Sequence, residues 1–311
     1  MQHRKMNYIK TLVVTVLILV AVGVTAQKHY VKVWGGVGYA NFLTNAENLT
    51  PWGGGGGLLG LGYEIALNRF LLSIGGELDF KTTFIRRDPF KIELDMIDTE
   101  GDPLVYTYDF SHDKYRENYN IGYVNVPLMF GAQFSNKMYF LLGGKFGMCM
   151  FGNAILKSHV KTSGKDPTLI DPFVNMPEHF FTDLDLKGSN PVSLDFTITA
   201  SMEIGKIIYP MKKRSRIHYR IAAFADYGIK NINPEPAKDS RNIITIPVDD
   251  RNQADVLNVQ MNSTFTSVLM KDRLINPLLV GAKFTVLFDL GEKEPCHCLP
   301  EYRSRWNRKR R

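Results

Sequence analysis

Between Ser193 and Gly205, in "SLDFTITASMEIG", hydrophobic and polar residues alternate without a break. Leu194, Phe196, Ile198, Ala200, Met202 and Ile204 share one face, and Ser193, Asp195, Thr197, Thr199, Ser201 and Glu203 share the other. A period of two predicts a β-strand. The same pattern runs from Ile217 to Lys230 and from Val280 to Leu290. Similar runs lie at Tyr30 to Phe42, Gly57 to Leu67, Phe70 to Lys81, Tyr119 to Phe134 and Met138 to Phe151, which makes eight predicted strands. Helical periodicity of comparable length is absent from the sequence.

The connections alternate in length. Asn68-Arg69, Ser135-Asn136-Lys137 and "YPMKKRSR" are short, whereas "LTNAENLTPWGGG" and the stretches 82–118, 156–190 and 231–275 are long and polar. Short turns at one end and long loops at the other predict an all-β fold, an eight-stranded antiparallel up-and-down transmembrane β-barrel with its short turns in the periplasm. In lipid every backbone donor and acceptor must pair within the protein, so strands cross a bilayer only as a closed barrel, apolar outside and free to be polar inside. A soluble β-sandwich puts its apolar face inward instead. The barrel reading sends Glu64, Glu77, Asp79, Asp195, Glu203 and Asp226 into the lumen together with Lys32, Lys81, Lys145, Arg220 and Lys283. Eight strands enclose just enough room for side chains, so these residues should form an ion-pair network in which Glu203 and Arg220 both take part.

Three details qualify the pattern. The stretch "FKIELDMIDTEGDPLVYTYDFS" alternates as well, and counting it as two spanning strands gives ten; its Lys91, Glu93, Asp95 and Asp98 favour a hairpin above the membrane. Pro127 cannot donate to a ladder, so a bulge or locally unpaired position is expected there. Tyr39, Phe70, Phe134, Phe140 and Phe288 stand at the ends of the apolar runs, where aromatic girdles belong.

The N-terminus adds localisation. His3, Arg4, Lys5 and Lys10 precede the apolar run "TLVVTVLILVAVGV", and Val24-Thr25-Ala26 offers small residues before Gln27. A run of 14 residues is short for a spanning helix and reads as a secretory signal peptide over residues 1–26. The barrel then occupies 27–290 and a basic tail, ending "RSRWNRKRR", occupies 291–311. The net charge of +7 is concentrated in those two termini, which gives no support to nucleic-acid binding by the body of the chain.

At "YVNVPLMFGAQFSNKMYFLLGGKFG", Tyr123 to Gly147, the chain resembles the outer-membrane β-barrel domain proteins of Bacteroidota, often called PorT-like. The resemblance extends more loosely to "GLGYEIALNRFLLSIGGELDF", "DFTITASMEIGK", "YRIAAFADYGIKNI" and the last strand. It implies an eight-stranded barrel inserted by the outer-membrane assembly machinery. It implies little about activity, a minority of such proteins resembling components of the type IX secretion apparatus.

Candidate chemistry is sparse. Gly55, Gly57 and Gly60 fit G-x-G-x-x-G, but a strand rather than a helix follows, so a flexible loop entering a strand is the expectation and no nucleotide cofactor is assigned. Cys296-His297-Cys298 cannot complete a four-ligand metal site alone, and an intermolecular disulfide suits an oxidising compartment equally. Cys149 reads as a small packing residue. Ser158 and His159 would point to opposite faces of a strand with no carboxylate positioned to orient the imidazole, and His112 and His179 sit in loops. Asp95, Asp98, Glu100, Asp102, Asp109 and Asp113 lack the spacing of a calcium loop. No catalytic, cofactor-binding or metal site is therefore assigned. The expected partners are the lipid bilayer and, at the loops or the basic tail, a protein. The expectation is a structural or interaction protein of the bacterial outer membrane, with a secretion or transport accessory component and a lipid-modifying enzyme as the alternatives.

Overall fold

The computed structural model describes residues 27–97, 103–110, 115–165, 183–210, 216–233, 242–247, 259–267, 270 and 273–291. Eight strands form a closed antiparallel ring: β1 (Gln27–Thr44), β2 (Leu49–Leu67), β3 (Phe70–Arg87), β6 (Tyr115–Gln133), β7 (Met138–Lys165), β9 (Thr197–Ile208), β10 (Ile217–Gly228) and β13 (Ile275–Asp289). Pairing of β1 with β13, from Tyr30 opposite Asp289 to Thr44 opposite Ile275, closes the ring. The barrel has no free edge, which satisfies the backbone without water.

Outward residues in the lower two-thirds of the wall are apolar and exposed, among them Leu59 and Leu61 on β2, Leu72, Ile74 and Leu78 on β3, and Val124, Val126, Leu128 and Phe130 on β6. A soluble protein does not expose a continuous apolar belt of this extent. The belt faces lipid, and the barrel is transmembrane. At its margins Tyr39, Phe70, Phe134 and Phe288 are exposed as the sequence predicts.

Two of the short turns each place one residue in the left-handed region, which Asn accepts readily and Lys only when the turn's hydrogen bonding holds it there. Asn68 has φ 59° between β2 and β3, and Lys137 has φ 67° between β6 and β7, where its N–H also donates to the Phe134 carbonyl at 3.1 Å. Pro127 behaves as expected. The β3–β6 ladder pairs Ile74 with Leu128 and Glu77 with Asn125, leaving Val126 and Pro127 unpaired on that side opposite Gly75 and Gly76.

At the other end the wall extends past the belt. β4 (Lys91–Ile97) and β5 (Pro103–Asp109) pair with each other and prolong the β3–β6 hairpin, as the hairpin alternative to ten strands requires. They do not join the ring. β5 then pairs with the upper part of β7 (Val105 opposite Lys165), and β8 (Asp183–Pro191) pairs with its other side (Ser158 opposite Leu186). The order β4-β5-β7-β8 makes a four-stranded arm above the barrel. Stretches 82–118 and 156–190, expected as loops, are thus largely strand among their described residues. The glycine-rich segment is likewise strand, since β2 begins at Leu49 and contains Gly53 to Gly57.

One irregularity changes the orientation of the arm. Gly122 pairs with Phe151 and Tyr123 with Cys149, so Met150 is an extra residue, a β-bulge. Below it the odd-numbered residues of β7 face inward (Tyr139, Leu141, Lys145); above it the even-numbered ones do (Ala154, Leu156, Ser158, Val160).

Candidate functional site

The candidate site is the interior of the barrel and its mouth. Below the mouth, where Glu117 is a further buried acid, five acids and five bases are buried in the wall's inner face: Glu64, Glu77, Asp79, Glu203 and Asp226 against Lys32, Lys81, Lys145, Arg220 and Lys283. Their formal charges cancel. Removing ions from water is costly unless each is paired and hydrogen-bonded, and each of the ten has a partner. The Arg220 guanidinium donates to both Glu64 oxygens at 2.8 and 2.6 Å, and Lys32 lies 3.7 Å from the same carboxylate while donating to Ser73 Oγ at 2.5 Å. Lys145 bridges Glu77 at 2.6 Å and Asp226 at 2.7 Å. Lys283 donates to Glu203 at 2.7 Å, and Lys81 pairs with Asp79.

Aromatic groups link these pairs. Trp34 Nε1 donates to Glu77 at 2.8 Å, while the indole ring lies under the ammonium groups of Lys32 and Lys283, 4.8 and 5.0 Å from its centroid. Two glycines admit that ring: a Cβ at position 60 would fall 2.3 Å from the indole, and one at position 75 would fall 2.7 Å from it. Tyr139 donates to Glu203 at 2.5 Å, and its ring lies 4.6 Å from the Arg220 guanidinium. Glu203 and Arg220 both belong to the network, joined through Tyr139 and not paired directly. Their register keeps them apart, with Arg220 opposite Ile207 and Glu203 opposite Phe224.

Asp195 departs from its expected place. β9 begins only at Thr197, so the alternation that aims Asp195 inward does not operate there. Its carboxylate is exposed and pairs with Lys230, whose hydrogen bond holds it below the usual carboxylate range.

The mouth is closed by apolar packing. A segment between β10 and β13 carries the two-residue ladder of β11 (Ile244–Thr245) with β12 (Gln260–Met261), then a single 3-10 turn, Thr264–Thr266. Phe265 from that turn stacks on Tyr119, ring centroids 4.1 Å apart, and meets Phe42 edge-on at 5.9 Å. Around them pack Ile85, Ile121, Leu156, Ile232 and Ile275. Glu117 pins the plug: its carboxylate accepts from the Thr264 N–H at 3.0 Å and from the hydroxyls of Thr264 and Tyr119. The Tyr119 hydroxyl lies 2.7 Å from Ser263 Oγ, and Asn190 Nδ2 donates to the Met261 carbonyl at 2.6 Å, so the plug is tied to the wall on two sides. Sequence reasoning did not single out Glu117. The signal was a carboxylate alternating with tyrosines at 115, 119 and 123.

The remaining candidates stay apart. Ser158 is buried in the inner face of the arm, while His159 points outward and meets Asp185 at 2.9 Å. A carboxylate therefore does orient that imidazole, contrary to the sequence expectation, because β8 pairs there; the hydroxyl is on the opposite face. Cys149 is half-buried against the mouth cluster. Asp109 pairs with Lys91 at 2.9 Å, and Asp95 is exposed. His112, His179, Asp98, Glu100, Asp102, Asp113, Cys296, His297, Cys298, residues 1–26 and the tail "RSRWNRKRR" lie outside the described residues. Among the described residues no group of three metal-ligating side chains converges.

No protein-family model and no curated protein matches the chain. Among solved structures it is similar to neisserial surface protein A, with 7% identity over 84% of this chain and 98% of that one, at a TM-score of 0.29. It is also similar to Ail, the attachment invasion locus protein of Yersinia pestis, with 12% identity over 84% and 99%, at a TM-score of 0.26. With scores this low the transmembrane barrel stands on its own closed ring of pairings and its apolar outer belt.

Proposed function

We propose that this chain is a non-conducting β-barrel of the bacterial outer membrane with a structural or interaction role, holding a rigid four-stranded arm outside the membrane. The observation that carries the reading is the double closure of the lumen, by paired charges along the wall and by the Phe265 plug at the mouth. An eight-stranded ring is just wide enough for side chains to fill, too narrow for the aqueous channel of a porin. The leader-like N-terminus and the resemblance of Tyr123 to Gly147 to Bacteroidota barrel proteins support export to that membrane. In planar bilayers the purified chain should show conductance near zero, and large, steady conductance would move the reading to a porin.

The arm favours a role exercised through partners, such as a secretion or transport accessory component. It carries backbone and side chains well beyond what closing the barrel requires. Extraction from native membranes in mild detergent should then yield a stable complex, and recovery of the barrel alone would leave the structural role. The enzyme alternative gains nothing from Ser158, His159 and Asp185, since the hydroxyl and the imidazole lie on opposite faces of β7.

A further inference from the structure

The outer face of the wall above the belt carries four cations side by side. Arg86 on β3 is directly opposite Arg116 on β6, Arg116 opposite Lys157 on β7, and Lys157 opposite Lys187 on β8. All four point outward, because their chain neighbours Ile85, Glu117, Leu156 and Leu186 are buried. Like charges directly opposite across a ladder destabilise a sheet. Among the described residues none of the four is in an ion pair; the nearby Asp185 is engaged by His159. Arg86 instead stacks on the exposed Trp52 ring, 3.4 Å from its centroid.

A groove of about 420 Å³ lies along this row, floored by Trp52, Phe84 and Ile155 and edged by Arg86, Arg116 and Lys157. Its height above the membrane identifies its occupant. The apolar belt ends at Phe80 and Phe151, whose rings are 6.0 Å apart. Above them comes a polar row, Thr82 with Asn120 and Asn153, then Phe84 with Asn118 and Ile155, and then the cations. Six residues separate Phe80 from Arg86, roughly 20 Å along the strand and about 15 Å along the membrane normal for a tilt of about 40°. The headgroup layer of a glycerophospholipid is only about 5 to 8 Å thick on each side. Its phosphate falls short of the row, whereas a phosphate borne on a saccharide reaches it. The floor suits a sugar as well, offering amide hydrogen-bonding groups and an indole face.

We infer that Arg86, Arg116, Lys157 and Lys187 form a binding site for the phosphorylated saccharide headgroup of an outer-leaflet glycolipid, with Trp52 and Phe84 packing against the sugar. Arg supplies bidentate contacts to phosphate and Lys supplies point charges. The site holds the barrel at a fixed depth and compensates the like-charge row.

The test uses the full chain in detergent micelles and native mass spectrometry. The probes are a core-truncated lipopolysaccharide, the same glycolipid after chemical dephosphorylation, phosphatidylglycerol, and inorganic phosphate. The phosphorylated glycolipid should be retained at least tenfold better than the other three. Arg116→Glu combined with Lys157→Glu should abolish that preference, and Lys206→Glu, an outward change at the far end of the barrel, should leave it intact. Heat-modifiable migration on gels confirms that each variant is folded. Equal retention of the dephosphorylated glycolipid, of phosphatidylglycerol or of inorganic phosphate would overturn the assignment, as would unchanged retention by the folded double variant.

Discussion

Strands β6 and β7 pass through two environments, and the two ends of each strand obey opposite rules. Inside the belt β6 shows Val124, Val126, Leu128 and Phe130 to the outside and buries Asn125, while β7 buries Lys145. Above it β6 shows Arg116, Asn118 and Asn120 to the outside and buries Tyr115, Tyr119 and Ile121, while β7 shows Lys157 and Lys161 and buries Leu156 and Val160. The lower half is apolar outside and ionic inside; the upper half follows the pattern of a soluble protein. Alternation therefore reports which side is wet, and the point along a strand where its sign reverses marks where lipid gives way to water.

The largest expected effect tests the ionic half. Glu203→Ala leaves the Lys283 ammonium and the Tyr139 hydroxyl without their acceptor in the lumen. Breaking one partner of a buried pair costs about 3 to 5 kcal/mol, so the urea midpoint of gel-monitored unfolding should fall sharply while conductance stays near zero. An unchanged midpoint would mean that the pair lies in water.

The reversal itself is tested by one substitution made at two heights. Val126→Lys places a charge on the lipid face and should cost about 2 to 4 kcal/mol in folding into vesicles, whereas Asn118→Lys, eight residues higher on the same face, should cost about 0 to 1. Equal costs would put the membrane boundary elsewhere.

How much of this was legible follows from what alternation can carry. Eight runs of period two marked all eight ring strands, and ten of the eleven charges expected in the lumen are there, because below the belt margin every strand keeps one parity. Asp195 failed where β9 had not yet begun. Of the arm, the hairpin of β4 and β5 was legible in the alternation from Phe90 to Phe110. The upper part of β7 and its partner β8 were missed, because Met150 breaks the count on β7 and the polar residues after it look like loop when they are the wet face of a sheet. Pairings such as Arg220 with Glu64 are set by strand register and barrel curvature, which a single strand's pattern does not contain. The plug was invisible for a different reason: Ser263, Thr264 and Phe265 have no periodicity, and their place depends on Glu117 and Tyr119, nearly 150 residues away.

A more local effect, with little change in the global midpoint, is expected at the mouth. Phe265→Ala removes the ring that stacks on Tyr119; a buried Phe→Ala change costs about 3 kcal/mol or more. Because the plug is a separate layer, the loss should appear as protease cleavage between residues 242 and 275 at least tenfold faster, with the global midpoint little changed. A matching drop in the midpoint would show that plug and barrel unfold as one unit.

The smallest effect is at the rim. The folded pKa of Asp195 is depressed by Lys230, so any stability from this pair is present above the unfolded carboxylate value and is lost as pH falls through the folded one. Asp195→Asn should therefore leave stability within about 0.5 kcal/mol of the parent and flatten only the acid limb, below pH about 4. A change at neutral pH would place the pair in a drier site than the exposed rim.

The bulge at Met150 also constrains how such a chain can change length over evolutionary time. A strand's two faces act like a reading frame of period two, and on β7 the extra residue Met150 shifts it. Loss of Met150 itself would leave a regular ladder with every position above it on its present face. Loss of any other single residue between the bulge and Lys157, with the bulge kept, would instead carry Lys157, His159 and Lys161 into the packed interior and Leu156 and Val160 out to water. A second gain or loss would restore the frame. Between Met150 and Lys165, lengthening or shortening of β7 is therefore tolerated in pairs of residues.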